Sequence, residues 1–307
     1  MKYKIGTRGS KLALKQTMDV IAKLEQLYPE DEFEAVIITT TGDREQKKQL
    51  DQIGSKGVFV QEIEEELLNG TIHAAVHSMK DMPAEAEPGL TFTKAWKRED
   101  GRDVLVLREA KSFEELPEGA VIGTGSRRRA YQLLMLRPDL RIVPIRGNID
   151  TRMRKLETPL EDGSFMDGIV LAAAGLKRIG RAEEITEYLS VDQMIPAPAQ
   201  GTLAIEVKAD NEELLEKFNR ISDPDTEYTV LAERGFLKAI GGDCHLPVAA
   251  FCDRLLDGSF RLRALFGDES GEHLARAVVT EACADGEEKA ALERLVTRTV
   301  EEIREKF

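Results

Sequence analysis

Short apolar runs alternating with amphipathic stretches constrain this fold most. The pattern is satisfied when strands build a buried sheet and helices cover its faces. Over residues 1–96 it predicts a strand at 3–6 and a helix capped by Ser10, whose apolar stripe is Leu14, Met18, Ile21, Leu24 and Leu27. A strand at 35–40 follows, then a polar, glycine-containing loop over 41–57. Phe59, Ile63 and Leu67 mark a second helical face, and 72–76 reads as a buried strand, so these βα units predict a mostly parallel sheet. From about 103 to 189 the alternation repeats, with strands near 104–107, 121–123, 140–144 and 168–172. The apolar run 203–207 reads as a strand returning to the first sheet. From Thr226 the order is helix, three strand-like runs near Val248, Leu262 and Ala277, and a closing helix over 287–303, which predicts a small α+β domain. No internal repeat indicates a solenoid.

Charge excludes one class of function. The 307 residues carry 43 Lys and Arg against 56 Asp and Glu, a net charge of −13, which repels polyanions and argues against a nucleic-acid binder. Residues 1–6 turn polar before an apolar leader develops, and the longest near-apolar run, 169–176, is too short to span a bilayer. The expectation is a cytoplasmic protein with no membrane partner. Cys244, Cys252 and Cys283 have neither zinc-site spacing nor an even disulfide count, and no metal site is expected.

Against that acidic background, residues 120–182 hold twelve Lys and Arg and six Asp and Glu, a local charge of +6. For any single arginine, pairing with a nearby acid on a solvated face is the simpler account. The cluster points further, because Gly123-Thr124-Gly125-Ser126 follows a strand and opens a helix. Backbone N–H groups, hydroxyls and guanidinium forks would converge there on an anion. Arg146-Gly147-Asn148 also follows a strand, with Gly147 permitting close approach of the backbone. Thr7-Arg8-Gly9-Ser10 and Gly54-Ser55-Lys56-Gly57 add polar groups in the first lobe, and the latter lacks P-loop spacing.

Past the 72–76 strand comes His77-Ser78-Met79-Lys80-Asp81-Met82-Pro83. His77 reads as a strand-end core histidine. Asp81 reads either as a turn or cap carboxylate before Pro83 or as a catalytic acid in a cleft. In Gly241-Gly242-Asp243-Cys244-His245-Leu246-Pro247 the glycines and proline put Cys244 on a tight loop, where His245 would favour a thiolate. Cys252 and Cys283 sit in strand-like settings and read as packing residues.

In order, Thr7-Arg8-Gly9-Ser10, Lys56-Gly57, His77-Ser78-Met79-Lys80-Asp81, Arg98-Glu99-Asp100, Gly123-Thr124-Gly125-Ser126, Arg128-Arg129, 140–148, Ala173-Ala174-Gly175-Leu176-Lys177-Arg178, 196–201 and Gly242-Asp243-Cys244 resemble the porphobilinogen deaminase (hydroxymethylbilane synthase) family over 5–264. That family joins four porphobilinogen molecules head to tail, releases ammonia each time, and frees the linear tetrapyrrole hydroxymethylbilane by hydrolysis. The resemblance implies an α/β fold: two periplasmic-binding-protein-like lobes with mixed sheets plus a small α+β C-terminal domain. Its boundaries are 1–98 with 197–220, then 99–196, then 221–307. It implies a dipyrromethane cofactor attached to Cys244 by a thioether, Asp81 as the catalytic carboxylate, and a monomer. Arg8, Ser10, Lys56, Ser78, Lys80, Thr124, Ser126, Arg128, Arg129, Arg146, Gly147, Asn148, Arg152, Arg178, Gln200 and Gly201 would bind the carboxylates of cofactor or substrate.

Loss of ammonia from an aminomethylpyrrole leaves a cation that a preorganised carboxylate stabilises. Each ring carries acetate and propionate, which the arginines answer. The chain has Gln52, Gly125, Arg127 and Asp243 where the family commonly has lysine, serine, an apolar residue and glycine. Asp243 would raise the thiol pKa of Cys244. The competing reading is a non-catalytic two-lobed anion receptor, which needs the same arginines but has no use for a third domain with a loop cysteine.

Overall fold

The computed structural model describes residues 1–40, 60–242, 246–271 and 273–307. They form two compact units, Met1–Glu99 with Thr202–Glu227 and Asp100–Gly201 with Tyr228–Phe307. The predicted 41–57 loop lies outside the described residues.

In the first unit the strands Glu32–Ile37, Lys2–Thr7 and Ala74–Ser78 run parallel. Leu203–Lys208 then pairs antiparallel with Ala74–Ser78 on one side and Leu90–Phe92 on the other. The return of 203–207 to this sheet is therefore as the sequence suggests, but the sheet is mixed. One face buries Ile5, Val20, Leu24, Val76, Trp96 and Phe218. The other buries Ile63, Leu67, Ile72, Ala75 and Leu90. Covering both faces lets the central strands be apolar throughout.

Ser10 caps the helix Lys11–Leu27, accepting from the Ala13 amide at 3.2 Å. The buried face differs from the predicted stripe. Gln16, Thr17, Val20, Ile21 and Leu24 point inward, while Met18 and Leu27 are exposed. Gln16 is retained inside by a hydrogen bond to Ser78, so a polar residue on the core side hid the true face.

The second unit repeats this strand plan without a sequence repeat. Arg141–Val143, Val121–Gly123 and Gly168–Ala172 are parallel, and Asp103–Leu107 is antiparallel between Gly168–Ala172 and Glu187–Tyr188. The unit also contains the three-stranded antiparallel sheet Ala249–Arg254, Phe260–Gly267 and Leu274–Glu281. Helices Pro224–Ala239 and Glu288–Lys306 pack on it through Phe236, Leu295 and Ile303 against Phe260 and Leu262. The strands Leu90–Phe92 and Glu187–Tyr188 and the helix Glu212–Asn219 escaped the sequence reading. The two strands are too short to show a period.

A cluster of acids lies inside the first unit. Glu206 is fully buried with no hydrogen bond to either carboxylate oxygen among the described residues, and His77 Nε2 stands 3.6 Å away. Glu64, on the helix Gln61–Leu68, is pushed up to about 7, first by burial and then by the charges of Glu206 and Glu87. Folded protein thus holds a proton on Glu64 that the unfolded chain, with its carboxylate near 4.5, releases. Its contribution is full below pH 4.5 and is lost as pH rises through about 7. Glu64→Gln mimics the protonated form and is expected to raise the thermal midpoint at pH 8, by at most about 3 kcal/mol of stability, with little change near pH 4.5. Midpoints of both proteins at the two pH values check this, and an equal difference at both contradicts it.

Candidate active site

In the first unit two neighbouring parallel strands end in the predicted motifs. Lys2–Thr7 runs into Arg8, Gly9 and Ser10, and Ala74–Ser78 runs into a 3₁₀ turn, Met79–Asp81. Buried Met79 and Met82 anchor that turn, with the Met79 amide donating to the Thr202 carbonyl at 3.0 Å. Lys80 and Asp81 are thereby left at the surface side, Lys80 half-buried and Asp81 exposed. Asp81 neither caps a helix nor makes a hydrogen bond or ion pair among the described residues, so the turn-carboxylate account finds no partner for it. His77 is buried, as a core histidine should be. Arg8 and Ser78 are half-buried, and Ser78 Oγ accepts from Gln16 Nε2 at 3.0 Å.

In the second unit the loops after Val121–Gly123 and Arg141–Val143 lie side by side. The Thr124 amide donates to the Val143 carbonyl at 3.0 Å. A Cβ at Gly125 would come within 2.7 Å of the Ile145 carbonyl oxygen, so only glycine lets the loops approach this closely. Gly147 has φ +110, a conformation costly for any side chain. Ser126 caps Arg127–Leu136, and Asn148 caps Ile149–Leu156 by accepting from the Thr151 amide at 2.9 Å. Arg146 is exposed; Arg152 Nε donates to the Gly147 carbonyl at 2.8 Å and braces that loop. Arg178 Nη2 donates to the Gly201 carbonyl at 2.7 Å.

Behind these loops is a residue that the sequence reading missed. Asp103 is fully buried at the start of its strand. Arg128 Nη1 reaches its Oδ2 at 2.6 Å, Arg129 Nη2 and Nε reach Oδ1 at 2.7 and 3.0 Å, and Gln200 Nε2 adds a bond at 3.0 Å. Burial alone would push this carboxyl up; the two guanidiniums and Gln200 outweigh it and hold the group well below the usual carboxylate range. Arg129 spends its remaining Nη1 on the Val170 carbonyl, and Gln200 Nε2 also donates to the Gly101 carbonyl.

Arg129 and Gln200, expected at the carboxylate-binding site, both turn their nitrogens toward Asp103 and nearby carbonyls. Every Arg129 nitrogen and the Gln200 amide nitrogen are bonded inside the protein. Arg128 differs. Nη1 is bonded to Asp103 and to the Ile195 carbonyl at 2.7 Å, but no hydrogen bond among the described residues engages Nε or Nη2. The available signal for Asp103 was an acid heading an apolar strand, which burial requires to be paired.

Lys56, Gln52, Asp243 and Cys244 lie outside the described residues. Among the described residues no group of three or more His, Cys, Asp or Glu could hold a metal ion, and no helix is long and apolar enough to cross a membrane.

Residues 3–216 match the family model described as "Porphobilinogen deaminase, dipyromethane cofactor binding domain", and residues 227–296 match "Porphobilinogen deaminase, C-terminal domain". A porphobilinogen deaminase of Lachnospira eligens is 59% identical over 280 residues, covering 91% of this chain and 94% of the relative. That of Clostridioides difficile is 52% identical, covering 89% of each. Among solved structures, a nutrient binding protein from Burkholderia cenocepacia bound to methionine is similar at a TM-score of 0.44 and 12% identity, over 70% of this chain and 89% of that one.

Asp103→Asn would leave two guanidiniums buried beside a neutral amide. A loss of about 3–5 kcal/mol is expected, read as a fall in the thermal midpoint; an unchanged midpoint would show that the pair is not buried as described.

Proposed function

The chain belongs to the porphobilinogen deaminase family, and we propose that it joins four porphobilinogen molecules head to tail on a dipyrromethane held by Cys244, then releases hydroxymethylbilane by hydrolysis. The observation that carries the catalytic assignment is Asp81: an exposed carboxylate without a hydrogen-bond or ion-pair partner among the described residues, on a turn fixed by two buried methionines.

The donors of the second unit suit a group bearing acetate and propionate chains. Arg128 Nε and Nη2, the Ser126 hydroxyl, exposed Arg146 and the paired strand-end loops offer hydrogen bonds to carboxylates. When bound, the dipyrromethane supplies the pyrrole α-carbon nucleophile that primes the chain. Cys244 Sγ holds it through a thioether.

Thr124, Ser126, Arg128, Arg146, Gly147, Asn148, Arg152, Arg178 and Gly201 form or brace the carboxylate-binding loops. Arg8, Ser10, Lys56, Ser78 and Lys80 serve in the same way on the first unit. Arg129 and Gln200 act through Asp103, holding Arg128 in place. Asp81 Oδ accepts from a pyrrole N–H and stabilises the positive charge that develops on substrate as its C–N bond breaks and ammonia leaves. Each addition makes one carbon–carbon bond for one ammonia released. The same reading makes the enzyme a cytoplasmic monomer, in keeping with the family resemblance.

Asp81→Asn keeps the shape of the side chain and removes its charge. Porphobilinogen consumption, read as uroporphyrin absorbance after acid oxidation, is expected to fall about 100-fold, while protein yield and folding are unchanged. Near-normal turnover by the variant removes Asp81 from the mechanism.

A further inference from the structure

Residues 195–200 brace the second unit. The Ile195 carbonyl accepts from Arg128 Nη1 at 2.7 Å and from Gln132 Nε2 at 3.0 Å. The Pro196 carbonyl accepts from the Ala250 amide at 3.1 Å, which ties the same segment to the three-stranded sheet. The chain then makes a tight turn in which the Gln200 amide donates to the Ala197 carbonyl at 3.0 Å. Pro198 holds the second position of that turn and Ala199 the third, at φ +58. This is the site where a type II turn calls for glycine, and Ala199 is the one non-glycine residue with positive φ among those described.

An alanine in that conformation needs an external hold. The Ala199 amide donates to Glu233 Oε2 at 2.6 Å, and Glu233 Oε1 accepts from the Cys252 amide at 2.8 Å. Glu233 is fully buried on the helix Pro224–Ala239. One carboxylate therefore fixes both the strained turn and the edge of the three-stranded sheet. The last residue of the turn, Gln200, grips Asp103, and Asp103 sets Arg128.

We infer that Glu233 is a positioning residue: it holds Ala199 in its left-handed conformation, so that Gln200 and Asp103 present Arg128 to the carboxylates of the ligand. This rests on the carboxylate-binding role given above to Arg128. The strain is stored where it determines the direction of the chain entering Gln200. Relaxation of Ala199 to negative φ would swing Gln200 away from Asp103.

Glu233→Gln puts an amide donor against a backbone N–H. With the purified holo-protein, KM for porphobilinogen is expected to rise about tenfold while kcat changes less than about threefold. Deuterium exchange over 195–201 should quicken. Adding Ala199→Gly, which adopts positive φ without steric cost, should recover most of the KM and the exchange protection in the double variant. Ala199→Val leaves Glu233 intact and should raise KM alike, which keeps the test decisive if Glu233→Gln does not fold. An unchanged KM and exchange in Glu233→Gln or Ala199→Val, or a KM defect that glycine does not relieve, overturns the inference. Wild-type protein that converts no porphobilinogen overturns the functional reading instead, and the exchange data then still decide whether Glu233 holds the turn.

Discussion

Asp103 is a carboxylate with no solvent exposure, and the arginine-bearing part of the second unit is arranged around it. Through this one side chain the helix Arg127–Leu136 and the 195–200 segment are tied to the strand Asp103–Leu107, and Arg129 carries the link on to Gly168–Ala172. A buried ion pair of this kind is not an efficient source of stability, since well-packed apolar residues often do as well. What it supplies is direction. Once Asp103 is in place, Arg128 has one nitrogen anchored, while no hydrogen bond among the described residues engages Nε and Nη2, which an apolar core could not arrange.

Pairing of the same kind runs through the basic stretch. Its local charge of +6 sits within a chain of −13, but much of it is spent at home. Arg137 pairs with Asp139, Arg141 with Asp162, and Arg181 with Asp150 and Glu184. For those arginines the solvated-face account holds. Arg128 and Arg129 neutralise an acid outside the stretch, so the charge left unspent is set by the geometry of the pairings more than by the count of cations.

Much of the architecture was legible because it follows from local patterns. The strands Val121–Gly123 and Gly168–Ala172, the Ser10 cap and the closing helix all carry their signal within a few residues. The motifs after strand ends were legible for the same reason, though the sequence did not show that Asp81 has no hydrogen-bond or ion-pair partner among the described residues. Pairings across sequence distance were not legible. Asp103 lies 25 and 26 residues from its arginines and 97 from Gln200. Nothing in the sequence of Arg129 separates an inward guanidinium from one that faces a ligand. Likewise, Gln16 on the buried side of its helix is explained only by Ser78, 62 residues away.

The central claim is that this chain carries a covalently bound primer in a lobe built for carboxylates. Intact-mass spectrometry of protein purified from cells supplied with porphobilinogen tests it most directly. The account predicts the 34.2 kDa chain plus the mass of two linked pyrrole units, and the bare chain for Cys244→Ser. A bare chain in the unaltered protein, or an added mass that survives Cys244→Ser, would contradict it.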